Sequence, residues 1–309
     1  MTDLGVVIVN YNAGEHLLRC VESLHLHSGD AAVEVVVVDN ASVDESMERL
    51  AQAHPDVTRI ENPDNRGFAA AANQGIGATT APYLFVLNPD AEVTGGTLAG
   101  FLKLADDRPR AGAVGPLVRD ADGSLYPSAR KVPTIGEAVG HAFLHPFNTE
   151  NRYSRAYTMA DWDRTSEREV SWVSGSCVLV RRAALEQVGL FDEGYFMYAE
   201  DVDLCTRLRR AGWTVLFTPE LEVTHERGVS TGNSRRMIRV HSDSIYRYFA
   251  KHHATGWKRV LLPFAWLALR ARAELVIRRR NAVGGSGGMA RRDSHTGIDG
   301  SERPPRSRQ

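Results

Sequence analysis

The sequence predicts an α/β domain built on a mostly parallel, Rossmann-like sheet with helices on both faces. Three observations carry this expectation. Short apolar runs rich in β-branched residues alternate with segments of helical periodicity. The runs are apolar throughout rather than every second residue, as strands covered on both faces are. Each run also ends on a polar cluster, and in such sheets ligands bind beyond the carboxyl ends of the strands.

The elements follow in order. Leu4 to Val9 is the first apolar run, closing on Asn10-Tyr11-Asn12-Ala13-Gly14 as a turn. From Glu15 to Leu26, Leu17, Leu18, Val21 and Leu24 recur at helical spacing. Val33 to Val38 runs into Asp39-Asn40-Ala41-Ser42, and Asp44 to Ala53 reads as a helix capped by Ser42. Val57 to Glu61 leads to Asn62 through Gly67, followed by the alanine-rich helix Phe68 to Gly77 and the strand Tyr83 to Leu87. That strand ends on Asn88-Pro89-Asp90. Between Asp120 and Glu169 the pattern loosens around Pro127, Pro133 and Pro146, as expected of a loop region with short elements. Val170 to Arg181 is strand-like but broken at Ser174-Gly175-Ser176. Glu200 to Ala211 reads as a helix, Thr214 to Phe217 as a last strand, and Val223-Thr224-His225 closes the folded part.

The domain plan expected is a catalytic α/β unit over 1–241, a C-terminal helical region over 242–283 and a disordered tail over 284–309, rich in Gly, Ser, Arg and Pro. Ile245 to Lys251 continues a helix, and Trp257 to Arg280 mixes aliphatic and aromatic residues with Arg and Lys, as an amphipathic interfacial helix does. Its longest uncharged run, Val260 to Leu269, is half of the ~20 residues needed to span a bilayer, and Pro263 interrupts it. The net charge of −1 hides an asymmetry: basic residues crowd the chain from Arg235 onward, while the first two hundred residues lean acidic. An acidic body suits a bound cation, and a basic end suits phospholipid headgroups rather than a nucleic acid. Three cysteines without a C-x-x-C read as buried free thiols of a reducing compartment. The start, Met1-Thr2-Asp3-Leu4, lacks the basic and apolar regions of a signal peptide. The location expected is the cytoplasmic face of the membrane.

Four strand ends carry the chemistry. A carboxylate at Asp39 can accept the N–H of a pyrimidine or hold a ribose hydroxyl, although Asp39-Asn40-Ala41-Ser42 is also good turn chemistry. Asp90, at the exit of a deep strand, can bind Mg²⁺ or Mn²⁺, which favour oxygen ligands and share them with phosphates. An ordinary Pro-containing turn is the plain alternative. Glu200-Asp201-Val202-Asp203 sets three acids at a helix start, where the macrodipole favours one or two of them. The stretch before them (Phe191, Tyr195, Phe196, Tyr198) is an aromatic wall that would raise a carboxylate pKa and stack on sugar faces. Trp172 and Gly175 border a loop that either exposes backbone at a site or forms a bulge. A lone histidine such as His225 is more often a packing residue than a ligand.

Taken together, these segments resemble the family-two glycosyltransferases of the GT-A fold. The match runs from Leu4 to Gly228 and rests on Val7-Ile8-Val9-Asn10-Tyr11-Asn12, Val38-Asp39-Asn40-Ala41-Ser42-Val43-Asp44, Asn65-Arg66-Gly67-Phe68 through Asn73, Leu87-Asn88-Pro89-Asp90, and Gly189-Leu190-Phe191-Asp192-Glu193 through Glu200-Asp201-Val202-Asp203-Leu204. The resemblance implies an inverting transferase that takes a sugar from a nucleotide-diphosphate donor with a divalent metal, Mg²⁺ or Mn²⁺. It places Asn10, Tyr11, Asp39, Arg66, Asn73 and Asn88 on the donor and Asp90 with His225 on the metal. It makes Asp201 the general base, and sets Trp172, Gly175, Tyr198 and Glu200 toward the acceptor. Asn88 departs from the family's D-x-D motif at its first acid. The Asn-Pro-Asp form resembles bacterial rhamnosyltransferases, which implies L-rhamnose from dTDP-L-rhamnose, a glycan or polyprenyl-diphosphate-linked acceptor, and peripheral membrane contact. Galactofuranosyl or mannosyl transfer and a non-catalytic sugar-nucleotide binder are the alternatives, and a homodimer is left open. A dinucleotide-binding dehydrogenase needs G-x-G-x-x-G after its first strand, where this chain has Asn10 to Gly14. A nucleotidyltransferase needs a glycine-rich basic loop at the same turn, and none is present.

Overall fold

The computed structural model describes residues 2–133, 150–226 and 234–289, with isolated positions between 134 and 149. Its first half alternates strictly: β1 (Leu4–Asn10), α1 (Glu15–His27), β2 (Val33–Asp39), α2 (Ser46–Ala53), β3 (Thr58–Glu61), α3 (Phe68–Gly77) and β4 (Tyr83–Leu87). Next come β5 (Ala91–Val93), α4 (Thr97–Asp107) and β6 (Ala111–Asp120), three elements that the sequence reading does not assign. Short pieces follow in the expected loop region: β7 (Leu125–Tyr126), β8 (Ala129–Arg130), α5 (Arg152–Thr158) and β9 (Arg168–Glu169). The catalytic unit then continues through β10 (Trp172–Val173), β11 (Cys177–Arg181), α6 (Arg182–Val188), α7 (Glu200–Arg210) and β12 (Thr214–His225). Pro146 and Gly228 lie outside the described residues.

The main sheet has the order β3-β2-β1-β4-β11-β6-β12-β5. It is parallel across β3-β2-β1-β4, in a register that sets Asn10 beside Asp39 and Asp39 beside Glu61. The parallel expectation holds there and again between β6 and β12. It gives way at β11, which runs against both β4 and β6 and makes the sheet mixed. The reversal has a use: β11 starts where β4 ends, with Cys177 opposite Leu87, so the 174–176 loop lands beside Asn88. The last strand expected over Thr214 to Phe217 runs on to His225 as β12, carried through a register break between Thr218 and Glu222.

Successive residues of a strand point to opposite faces, and both faces here are covered. Ile8, Leu17, Leu24, Phe85 and Phe101 share one core. Val7, Val36, Ile76, Leu185, Leu204 and Phe217 share the other. Cys20, Cys177 and Cys205 are free and buried, as expected; burial pushes the Cys177 and Cys205 thiols up to about 12. One expected cap is corrected. α2 begins at Ser46, not Asp44, because the Asp44 carboxylate accepts from Ser46 N and Oγ, and Ser42 is engaged elsewhere.

The boundary expected at 241/242 also fails, since it falls inside α8 (Arg235–His252). This helix starts at Ser234, whose Oγ accepts from Met237 N, a cap the sequence reading passes over. It is bolted to the catalytic body. Asp203, fully buried, accepts from Arg207 Nε, Lys251 Nζ and His252 Nε2, each at 2.7 Å. Asp192 takes Arg247 at 2.8 Å and Lys251 at 2.7 Å, and Thr206 meets the Tyr248 hydroxyl at 2.9 Å. A 3-10 turn over Gly256–Leu261 leads to α9 (Leu262–Met289). α9 packs on α8 through buried Ala273 and Ile277 and the pairs Arg239–Glu274 and Arg270–Asp243. It runs six residues past the tail boundary expected at 284, because each added residue gains a hydrogen bond once a helix has started. Residues 290–309 lie outside the described set. Among the described residues no helix is long and apolar enough to cross a membrane.

The Asp203 cluster sets a stability prediction. Removing one partner of a buried ion network typically costs ~3–5 kcal/mol, because the others are left uncompensated. Asp203→Ala should lose stability on that scale in urea unfolding and loosen α8 first. The network's cations outweigh burial and hold the Asp203 pKa below its usual range. Its contribution is therefore present above the unfolded-state value of ~3.9, and wild-type stability should fall as pH drops below it. The variant should lack that part of the acid dependence.

Candidate active site

The residues expected on the donor begin at the ends of β1, β2 and β3. Asn10 is buried, and its Nδ2 faces Asp39 Oδ1 (2.7 Å), Ser46 Oγ (2.9 Å) and Ser42 Oγ (3.1 Å). The other Asp39 oxygen accepts from Ser42 N (2.9 Å). Asp39 thus organises its own turn first, and only its remaining lone pairs can meet a ligand. The Asn10 Oδ1 is buried without a partner. Asn12 and Ala41 adopt left-handed backbone, with Asn12 Oδ1 accepting from Val43 N. Such strain in residues other than glycine persists where surrounding contacts over-determine it. Tyr11 is half-buried beside this loop, and Arg66 is exposed with no ion-pair partner among the described residues.

Asn40, Asn62 and Gln74 form an amide chain that sequence reasoning misses. Asn62 bonds Asn40 and Gln74 at 3.1 and 2.8 Å, and Asn40 Nδ2 donates to Gly67 O. It fixes Gly67, whose φ of +85° suits glycine and whose added Cβ would sit 2.4 Å from Phe196 O. Phe68 N donates to that same carbonyl at 2.7 Å. Asn73 is corrected. Its amide is spent on Phe191 N, Phe191 O and Glu193, tying α3 to the 190s loop rather than lying along a donor.

β4 and β12 bring Asn88, Asp90 and His225 together. His225 Nε2 is 3.0 Å from Asp90 Oδ1 and 3.3 Å from Asn88 Nδ2, with Asp90 and His225 both buried. One ring nitrogen cannot at once donate to the carboxylate and accept from the amide. His225 Nδ1 is buried without a partner. The pair therefore suits a cation better than it suits its own hydrogen bonds. Among the described residues no third His, Cys, Asp or Glu completes a metal set.

The acid cluster separates into three roles. Asp203 belongs to the ion network described above. Asp201, half-buried, accepts from Gly175 N (2.9 Å) and Val202 N (2.7 Å). Glu200 is buried, and its Oε2 has no partner. Burial, then the charge of Asp201, push the Glu200 pKa well above the usual carboxylate range. Burial also raises Asp201, but the two backbone N–H groups and the Arg130 charge oppose it. Of the pair, Glu200 is pushed up further, while the two N–H groups favour the charged form of Asp201. Tyr198 and Ala199, both left-handed, aim the first turn of α7 at the site.

The aromatic wall is only half realised. Phe191 and Tyr195 are core residues, turned inward by the bends of the 191–199 segment, where Tyr195 N bonds Asp192 O. Phe196 and Tyr198 remain half-buried, against Arg236 and His241. Trp172 is likewise corrected: it is 5% exposed, paired opposite Arg130 across β8 and β10, and packs beside that guanidinium instead of facing an acceptor. Gly175 acts through its N–H.

A match to the "Glycosyl transferase family 2" model spans residues 5–189, and one to "Glycosyl transferase family group 2" spans 138–276. The chain belongs to glycosyl transferase family 2. A Mycobacterium tuberculosis relative, named N-acetylglucosaminyl-diphospho-decaprenol L-rhamnosyltransferase, is 41% identical over 294 residues, which cover 90% of this glycosyltransferase and 94% of that protein. Among solved structures, GalNAc-T7 with UDP, GalNAc and Mn²⁺ aligns with a TM-score of 0.58 at 18% identity, over 82% of this chain and about half (51%) of that one. The mannosyltransferase PcManGT of Pyrobaculum calidifontis, with GDP-Man and Mn²⁺, aligns at 0.55 and 19%, over 93% and 79%. These likenesses establish the GT-A fold that the strand-end motifs implied.

The Gly67 contact is testable in this glycosyltransferase. Gly67→Ala combines a disfavoured φ with a backbone clash at Phe196, strain on the order of 1–3 kcal/mol. It should lower the melting temperature and also cut turnover, because the 196–199 segment that aims Asp201 must move. A variant that melts lower but turns over normally would separate the loop from the site.

Proposed function

We propose that this glycosyltransferase moves L-rhamnose from dTDP-L-rhamnose, with inversion, onto N-acetylglucosamine carried by a polyprenyl diphosphate. The observation that carries the catalytic part is the Asp201 carboxylate, held by two backbone N–H groups beside the buried Glu200, whose pKa burial pushes well above the usual carboxylate range. Pure binding has no need of such a base. The sugar and acceptor follow from the relative that matches nearly end to end.

The attacking acceptor hydroxyl gives its proton to Asp201 as its oxygen bonds to the anomeric carbon. The bond from that carbon to the diphosphate breaks, and the electron pair leaves with the nucleotide. One displacement inverts the anomeric centre. A positioned base typically contributes ~10²–10⁴-fold to such a step. A divalent cation, when bound, neutralises the departing diphosphate. Asp90 and His225 would hold it, and a half-turn of the Asn88 amide would add an oxygen. Arg66 stands free to meet the same phosphates, and Asn10, Tyr11 and Asp39 the nucleoside. Tyr198 and Glu200 border the acceptor.

Peripheral membrane contact belongs to the same reading. Ala273 and Ile277 of α9 are turned inward, so the whole 257–280 segment does not face lipid. The outward apolar surface is its start: Trp257 and Phe264 are each 71% exposed and Leu267 61%, with Lys258 and Arg259 beside them. That composition suits an anionic bilayer interface on the cytoplasmic side.

Asp201→Asn should keep nucleotide affinity and lose ~10²–10⁴-fold in turnover, whereas Glu200→Gln, which replaces a neutral acid, should retain far more. The reverse pattern would move the base one residue back. The acid limb of kcat/KM should lie above the ordinary Asp value of ~3.9, since activity fails as Asp201 takes up its proton. EDTA and Asp90→Ala should each abolish metal-stimulated turnover, and a product retaining the donor's anomeric configuration would overturn the single displacement. For the membrane, Phe264→Asp with Leu267→Asp should reduce flotation with vesicles containing phosphatidylglycerol; unchanged flotation would rule this surface out.

A further inference from the structure

The break at Ser174-Gly175-Ser176, between β10 and β11, has two hydroxyls that the catalytic step leaves unused. Each of its three residues bonds a different part of the molecule. Ser174 N donates to Ser128 O at 2.8 Å, next to the pairing of β8 with β10. That end is anchored by Arg130, boxed by the rings of Tyr126, Tyr157 and Trp172, each centre 5.1–5.3 Å from its guanidinium carbon. Gly175 N donates to Asp201 Oδ2 at 2.9 Å, and Ser176 O accepts from Asn88 N at 2.8 Å. Residues 175 and 176 are neighbours, so this N–H and this carbonyl are at most ~7 Å apart. The loop therefore joins Asp201 on α7 to the corner of Asn88, Asp90 and His225. Two hydroxyls fix its shape. Ser174 Oγ accepts from Ser176 N at 3.3 Å and lies 3.1 Å from Ser176 Oγ, the local bonding by which serine replaces a regular backbone partner. Ser174 and Ser176 are 9% and 8% exposed, behind the glycine that meets the acid. A Cβ at that glycine would stand 3.3 Å from Asp201 Cβ, so the loop sits directly on α7.

We propose that Ser174 and Ser176 are positioning residues, whose hydroxyls hold the Gly175 N–H on Asp201 and thereby set the carboxylate's place relative to the Asn88 corner. The proposal rests on the reading of Asp201 as the base. An in-line displacement sets the attacking hydroxyl and the departing diphosphate on opposite sides of one carbon, so the groups that serve them must keep a fixed separation. Of the two N–H groups on Asp201, Val202 N belongs to α7 and travels with it. Gly175 N comes from outside the helix, so it registers the carboxylate against the sheet. Burial raises the Asp201 pKa, and the Gly175 N–H is the first of the groups that oppose it. The other ionisable groups acting on or beside Asp201 are Glu200 and Cys205 on α7, Arg130 from β8 and Tyr157 from α5. A change at residue 174 removes none of them, so its effect on Asp201 passes through the loop.

The test reads Asp201 itself and needs no sugar transfer. The full chain, isotope-labelled at its aspartate carboxyl carbons, is titrated by NMR, and the Asp201 signal is the one missing from Asp201→Asn. Ser174→Ala should raise its midpoint by about 0.5–1 pH unit, because the charged form loses support. Ser174→Thr keeps the hydroxyl and should bring the midpoint back. Transfer should follow: in Ser174→Ala kcat falls roughly tenfold while the donor KM changes less than twofold, and the acid limb of kcat/KM moves up with the NMR midpoint. Should Ser174→Ala not fold, Ser174→Cys, a weaker acceptor of similar shape, takes its place and should shift the midpoint in the same direction. An Asp201 midpoint unchanged in the folded variant, or equally displaced in Ser174→Thr, overturns the positioning role. A midpoint that rises while transfer is untouched leaves that role standing and counts against Asp201 as the base.

Discussion

The placement of the site depends on the buried Asp203 network. Residues two apart on an α-helix point roughly 200° away from each other, so α7 aims Asp201 at the catalytic face and Asp203 into the body. There Asp203 collects Arg207 from its own helix and Lys251 and His252 from α8. One helix turn therefore both presents Asp201 and secures the C-terminal helices. Were α8 held by surface pairs alone, worth ~0–1 kcal/mol each, its contacts on the turn before α7, His241 at Tyr198 and Ser244 at Met197, would be far less firmly held.

The other half of the site depends on backbone contacts that no side-chain motif announces. Phe196 O receives Phe68 N across the space left by the missing side chain of Gly67. Two successive left-handed residues, Tyr198 and Ala199, then turn the chain into α7. The donor loop and the acid cluster, far apart in sequence, are thereby fixed relative to one another.

The alternating first half of the fold was legible because buried parallel strands write themselves as unbroken apolar runs. Their polar ends were legible too: Asn10, Asp39, Asn88 and Asp90 all lie along one edge. What could not be read had specific causes. The direction of β11 is a matter of pairing partners, which periodicity does not encode. Asn73 and Trp172 have the chemistry of ligand-binding residues, yet long-range packing claims both. Asp203 was indistinguishable from Asp201 by residue type, and only the arrival of α8 from some fifty residues away marks Asp203 as the structural acid. Arg130 sat in a Pro-rich loop with no periodic signal, so its box of aromatic rings was invisible in one dimension.

The three cysteines lend the molecule a set of internal reporters. Burial keeps each thiol protonated in the native state, and it is the thiolate that reacts with alkylating reagents. Labelling must then wait for the surrounding structure to open. Cys20 lies beneath the Asn88 carbonyl, Cys177 begins the reversed strand and Cys205 rides on α7 with Asp201. Their separate alkylation rates, followed by mass spectrometry, would time the breathing of the Asn88 corner, the sheet reversal and α7 without any engineered probe.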